Sequence, residues 1–91
     1  MAQDIDEIKD MIGQNMLDEA LEALNSLIGD GSDNDELYYL RGNVYRKLNN
    51  WKCAMGDYLK ASAINPDSPA TAAYNSALQI LEYYNKDLLN P

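Results

Sequence analysis

The chain has 91 residues and a formal net charge of −8, which makes it one small acidic domain. An acidic surface repels phosphate, so nucleic acid and an anionic membrane face are excluded as expected partners. With no histidine there is no imidazole metal ligand and neither a Ser–His nor a Cys–His pair.

The charge is unevenly spread. Residues 1–36 hold eleven acidic side chains against Lys9 alone, whereas residues 37–64 hold Arg41, Arg46, Lys47, Lys52 and Lys60 against Asp57. Hydrophobic residues make up 46% and charged ones 24% of the chain, the balance of a globular protein. Cys53, the one cysteine, has no internal disulfide partner, which fits a reducing compartment. The opening residues alternate acidic and apolar side chains, unlike a secretory leader. The longest charge-free stretch, Ser68 to Leu81, is shorter and more polar than the roughly 20 apolar residues of a spanning helix. The expected location is the cytoplasm.

In chain order, Ile5, Ile8 and Ile12 form a first stripe at helical spacing. Leu17, Ala20, Leu21, Leu24, Leu27 and Ile28 form a second, and Trp51, Ala54, Met55, Tyr58 and Ala61 repeat its spacing. Gly13-Gln14-Asn15 and Asn49-Asn50 read as tight turns, and residues 29–34 as a longer loop. Asp33 with Glu36 predicts a capping box, and Ser68-Pro69 an N-cap followed by proline in the first turn. Helices are predicted near residues 3–13, 17–29, 35–48, 51–64 and 69–88, in an all-α chain with no strand-like alternation.

Sliding the chain along itself lays Ala20 on Ala54, Leu24 on Tyr58, Asn15 on Asn49 and Met11 on Tyr45, all at one common offset. Paired helices at a period of about 34 residues resemble the tetratricopeptide repeat, whose hairpins stack because one alone cannot bury its apolar face. Residues 35–68 carry Tyr38, Gly42, Tyr45, Ala54, Tyr58, Ala61 and Pro66 at seven of eight family positions. Arg41 stands at the eighth, where the family has a buried leucine. A buried Arg must reach water or pair with a carboxylate, and Glu7 or Asp4 is the expected partner. Residues 1–34 read as a degenerate repeat. Residues 69–91 read as a C-terminal covering helix, packing through Ala73, Ser76, Ala77 and Ile80. The resemblance implies one domain over residues 1–91, a superhelical stack of two antiparallel hairpins plus that helix.

It also implies a concave groove lined by the first helix of each repeat, holding a peptide or a helix of another protein. The implied groove residues are Tyr39, Leu40, Asn43, Arg46, Lys47, Tyr74 and Lys9, with Glu36, Ile5 and Ile12 beside them. Asn43 is informative because its amide both donates and accepts. The basic clamp of the chaperone-binding subset is missing, since its places hold Ile5, Ala70 and Tyr74. Asp30-Gly31-Ser32-Asp33-Asn34-Asp35 fails as a calcium loop, having Asp35 at its sixth place and Arg41 at its twelfth. No catalytic, cofactor-binding or metal-binding residue is expected. Two rivals remain: a homodimeric assembly protein joined through Ile5, Ile8 or the tyrosines of residues 81–84, and an enzyme working through carboxylates in an acidic cleft.

Overall fold

The structure, a computed structural model, describes residues 4–89, with side chains through Tyr83. It contains five helices and, among the described residues, no strand: α1 (Ile5–Gly13), α2 (Leu17–Ile28), α3 (Asp35–Lys47), α4 (Trp51–Ile64) and α5 (Ala70–Leu89). Each predicted helix is present; residue 3, the expected start of the first, lies outside the described residues, and the other ends are displaced by at most one residue.

Short polar side chains set the starts. Asp4 accepts the backbone N–H of Glu7 at 2.8 Å, and Asn50 accepts that of Cys53 at 3.2 Å. The Ser68 hydroxyl accepts the N–H of Ala70 at 3.0 Å. The cap of α3 is Asn34, which accepts from the N–H of Glu36 at 3.0 Å, rather than the expected Asp33. Ser32 fixes this choice, because its hydroxyl takes the N–H of Asn34 at 3.0 Å and leaves the Asn34 amide pointing into the helix.

The two hairpin turns are copies one repeat period apart. Asn15 and Asn49 stand at φ 63° and 64°, the left-handed conformation that ends helices and that Asn tolerates better than most. In the first turn Asn15 N–H bonds Ile12 C=O and Met16 N–H bonds Met11 C=O. In the second, Asn49 bonds Arg46 and Asn50 bonds Tyr45 in the same pattern. The sequence period is thus also a backbone period.

Consecutive helices pack on one another, and α1 also touches α3, so the hairpins are stacked side by side; the principal extents are 52 × 27 × 21 Å. The core joins Ile8, Leu24, Leu37, Tyr38, Leu40, Val44, Ala54, Tyr58 and Ala61. Ile8, Leu24, Val44 and Tyr58 are wholly buried, and removing each such side chain from water contributes about 1.5–3 kcal/mol. Gly42 is required by close approach. A Cβ there would meet Tyr58 Cε1 at 2.6 Å and the Ala54 carbonyl oxygen at 3.2 Å.

Two packing expectations are corrected. Arg41 pairs with Asp57 of its own hairpin, not with Glu7 or Asp4: Nε and Nη2 each reach a carboxylate oxygen at 2.8 Å. Nη1 reaches the Asn25 side chain at 3.0 Å. Residues 41 and 57 lie opposite each other across the antiparallel hairpin, well within the length of the side chain. In α5, Ala70 and Ala77 are buried and Ala73 half-buried, but Ser76 is exposed. Its packing stripe begins at Ala70, in the first turn capped by Ser68, and the following i+3 and i+7 positions are 73 and 77.

Candidate functional site

The starts of α1, α3 and α5 lie at one end of their helices and enclose two adjoining hollows. The larger, about 490 Å³, is walled by Asp4, Ile5, Asp6 and Lys9 of the α1 region, Leu27 of α2, and Asn34, Glu36 and Leu37 of α3. The smaller, about 240 Å³, is walled by Asn34, Asp35, Glu36 and Tyr39 on the α3 side and by Ser68 and Pro69 before α5. Asn34 and Glu36 border both. Apolar side chains floor the larger hollow, and carboxylates rim it.

Its electrostatics are partly internal. Lys9 Nζ lies 2.9 Å from Glu36 Oε2, joining α1 to α3 across the hollow. That hydrogen bond raises the Lys9 ammonium above its ordinary pKa. With Lys9 and Glu36 neutralising each other, Asp4 and Asp6 leave the rim acidic. In the smaller hollow Asp35 is held by the Asn65 amide at 3.2 Å.

The implied groove residues divide three ways. Lys9 and Tyr39 line the hollows, as do Ile5 and Glu36. Tyr39 is half-buried, its ring 6.1 Å from that of Tyr58. Asn43, Arg46 and Lys47 lie further along α3. The Asn43 amide oxygen is engaged, accepting the Tyr58 hydroxyl at 2.6 Å, and burial pushes the Tyr58 phenol above its ordinary pKa while nearby Arg46 opposes the rise. Arg46 lies over the Trp51 ring at 5.6 Å, a cation–π contact that anchors it, and Lys47 is exposed. Leu40 is only 5% exposed and belongs to the core, since its turn of α3 faces inward with Leu37 and Val44. Tyr74 is half-buried and packs against the core, because the stripe beginning at Ala70 turns position 74 toward it. Ile12 is also half-buried against the core.

Asp4, Asn34, Ser68 and Pro69 wall the hollows although the sequence reading does not single them out as binding residues. The available signal is their spacing. Asn34 and Ser68 stand one repeat period apart, so a repeat that superposes helix starts brings its caps to the same end of the row. The acidic loop before α3 is occupied with capping that helix. Among the described residues, no group of three or more His, Cys, Asp or Glu is placed to hold a metal ion. No helix there is long and apolar enough to cross a membrane.

The class defined by this architecture is an all-α stack of short antiparallel hairpins. No family model matches the chain, and no curated protein matches it. The solution structure of Bacteroides fragilis protein BF1650 does match, at 43% identity and a TM-score of 0.83, over 99% of this chain and 91% of that one. The chain belongs to the same family as that protein.

Proposed function

We propose that this protein is an interaction module of tetratricopeptide type, binding a peptide or a helix of another protein along the face where α1, α3 and the start of α5 meet. The observation that carries this reading is the continuity of the two hollows through Asn34 and Glu36. Together they offer an apolar floor for one anchoring side chain and carboxylates around it, which is how short segments are gripped by a helical scaffold. Tyr39 supplies a large amphipathic wall of the kind that dominates such contacts. The repeat resemblance of residues 35–68 supports the same use. The partner is a protein or peptide, and its binding involves no cofactor, metal or covalent step. A single cysteine and a domain built without disulfides fit the cytoplasm.

The test is selection of peptides from a displayed library, followed by titration. Wild type is expected to enrich a peptide class that the Ile5→Ser, Tyr39→Ala double variant binds at least tenfold more weakly, with helicity unchanged. Equal binding by both proteins would move the working surface away from these hollows.

A further inference from the structure

The two hollows at the helix starts are successive copies of one feature. Ile5 in the larger and Tyr39 in the smaller stand one repeat period apart, as do Asn34 and Ser68. Where the second copy has a tyrosine ring the first has only an isoleucine, and its volume is about 490 Å³ against about 240 Å³. The apolar floor of the larger hollow is reachable, since Ile5 and Leu27 are only half-buried.

Charge decides what that floor can receive. Asp4, Asp6, Asp35 and Glu36 stand around the two hollows against the ammonium of Lys9. Among the described residues the other cations are engaged or distant. Arg41 pairs with Asp57, while Arg46 and Lys60 lie over the rings of Trp51 and Tyr38. Lys47 and Lys52 flank the turn at the far end of α3. A helix of that length separates its ends by about 18 Å, beyond the roughly 8 Å over which a charge acts in physiological salt. Helix starts draw anions with about half a positive charge each, which reduces the acidic excess of four carboxylates over one ammonium without cancelling it. Asp4, Asp35 and Glu36 each hold a partner through one oxygen, and a carboxylate has a second to offer.

We propose that the larger hollow receives a lysine or arginine side chain of a basic peptide, its methylene stem on Ile5, Leu27 and Leu37 and its charged head among Asp4, Asp6 and Glu36. The inference rests on the reading of these hollows as a peptide-binding face, and names the chemistry of the anchor. Long cationic side chains suit such a site because they lay an apolar stem along apolar surface and keep a charged tip at its edge. A purely aliphatic anchor would cover the floor but take water from the carboxylates without replacing it. An acidic peptide would be repelled by the rim and by the chain's net charge of −8.

The test starts from peptides enriched by the protein out of a displayed library of linear sequences. Each is resynthesised with its lysines and arginines replaced in turn by norleucine, then titrated against wild type and against Asp4→Asn with Asp6→Asn. Asparagine keeps the cap acceptor at position 4, so helicity and melting should be unchanged. One basic position should stand out, its replacement weakening binding at least tenfold. The double asparagine variant should weaken the parent peptide severalfold and the norleucine peptide hardly at all, and both losses should shrink as salt is added. Two results overturn the proposal while leaving the binding face in place. Peptides that lose affinity to Ile5→Ser with Tyr39→Ala but carry no such basic position would show an apolar anchor. Parent and norleucine peptides weakened equally by the asparagine variant would show that the carboxylates do not meet the cation. A third result, enriched peptides indifferent to Ile5→Ser with Tyr39→Ala or no enrichment at all, would remove the face itself and the anchor with it.

Discussion

The two hairpins superpose in sequence at one repeat period but fill their interiors by opposite means. In the first, Ile8 of α1 meets the space beside Leu24 of α2, and both are wholly buried. In the second the corresponding residues are Gly42 and Tyr58: one helix gives up its side chain and the other sends in a ring, to within 2.6 Å of where a Cβ would stand. The neighbouring positions diverge in the same way. Glu7 is exposed and Ala23 buried in the first hairpin, whereas Arg41 and Asp57 form a forked ion pair in the second. Shared spacing thus fixes where two helices meet, and the volume there is divided between them in more than one ratio. Aliphatic packing tolerates rotation and small slips. A ring seated on a glycine beside a two-pronged ion pair does not, so the second hairpin has the more specified geometry.

The comparison breaks most visibly at the ion pair. The Asp57 side chain is 8% exposed and that of Arg41 21%, and Asp57 raises the guanidinium above its already high pKa. Arg41→Leu keeps an apolar stem at that position but leaves Asp57 buried without a cation. We expect a loss of about 3 kcal/mol, the lower end for a broken buried pair because Arg41 is partly solvated. Arg41→Leu with Asp57→Ala removes the stranded carboxylate, placing at 57 the alanine that the first hairpin buries at 23, and should recover most of it. Urea denaturation of the three variants checks this. A stabilised Arg41→Leu protein would show that the pair contributes nothing to the fold.

The shared-volume reading is sharpened by a smaller effect. Gly42→Ala places a methyl against the Tyr58 ring and the Ala54 carbonyl, and should cost about 1–3 kcal/mol although alanine is the better helix former. Gly42→Ile with Tyr58→Leu transplants the first hairpin's division of space into the second. The double variant should be more stable than the sum of its singles predicts, since each substitution corrects the volume error of the other. Additive losses in thermal melts would mean that the backbones of the two hairpins are spaced differently, and that the correspondence is confined to sequence.

How far the chain can be read in advance follows from the same physics. Helix positions are accessible because apolar spacing, asparagine turns and N-caps are local, and all five helices lie where Ile5–Ile12, Leu17–Ile28 and their successors place them. Tyr58, Ala54 and Ala61 are visible as core through the repeat. Arg41's partner is not, because choosing among acidic residues requires knowing which helix lies opposite. The face of α5 is misjudged at Ser76 since a single stripe of small residues fits more than one rotation, and only docking on α4 selects Ala70, Ala73 and Ala77. Of the implied groove, Lys9 and Tyr39 do border hollows, whereas Leu40 is lost to the core. The walls contributed by Asn34, Ser68 and Pro69 depend on where helix ends meet, which spacing along one helix does not report.

The exposed ion pair between α1 and α3 yields the smallest predicted effect. Lys9 and Glu36 link α1 to α3 at 2.9 Å, but their side chains are 49% and 41% exposed, so water and salt screen the attraction and two long side chains lose freedom in making it. Lys9→Met should leave the melting temperature nearly unchanged at physiological salt, with any difference confined to low ionic strength. The same substitution frees Glu36 and adds its charge to that of Asp4 and Asp6 around the larger hollow, so its consequence for binding should exceed its consequence for stability. A cationic peptide selected by the wild type should bind the variant more tightly, and an anionic one less tightly, each difference shrinking as salt is added. A binding change that persisted at high salt would show that Lys9 contacts the ligand directly instead of setting the charge of the rim.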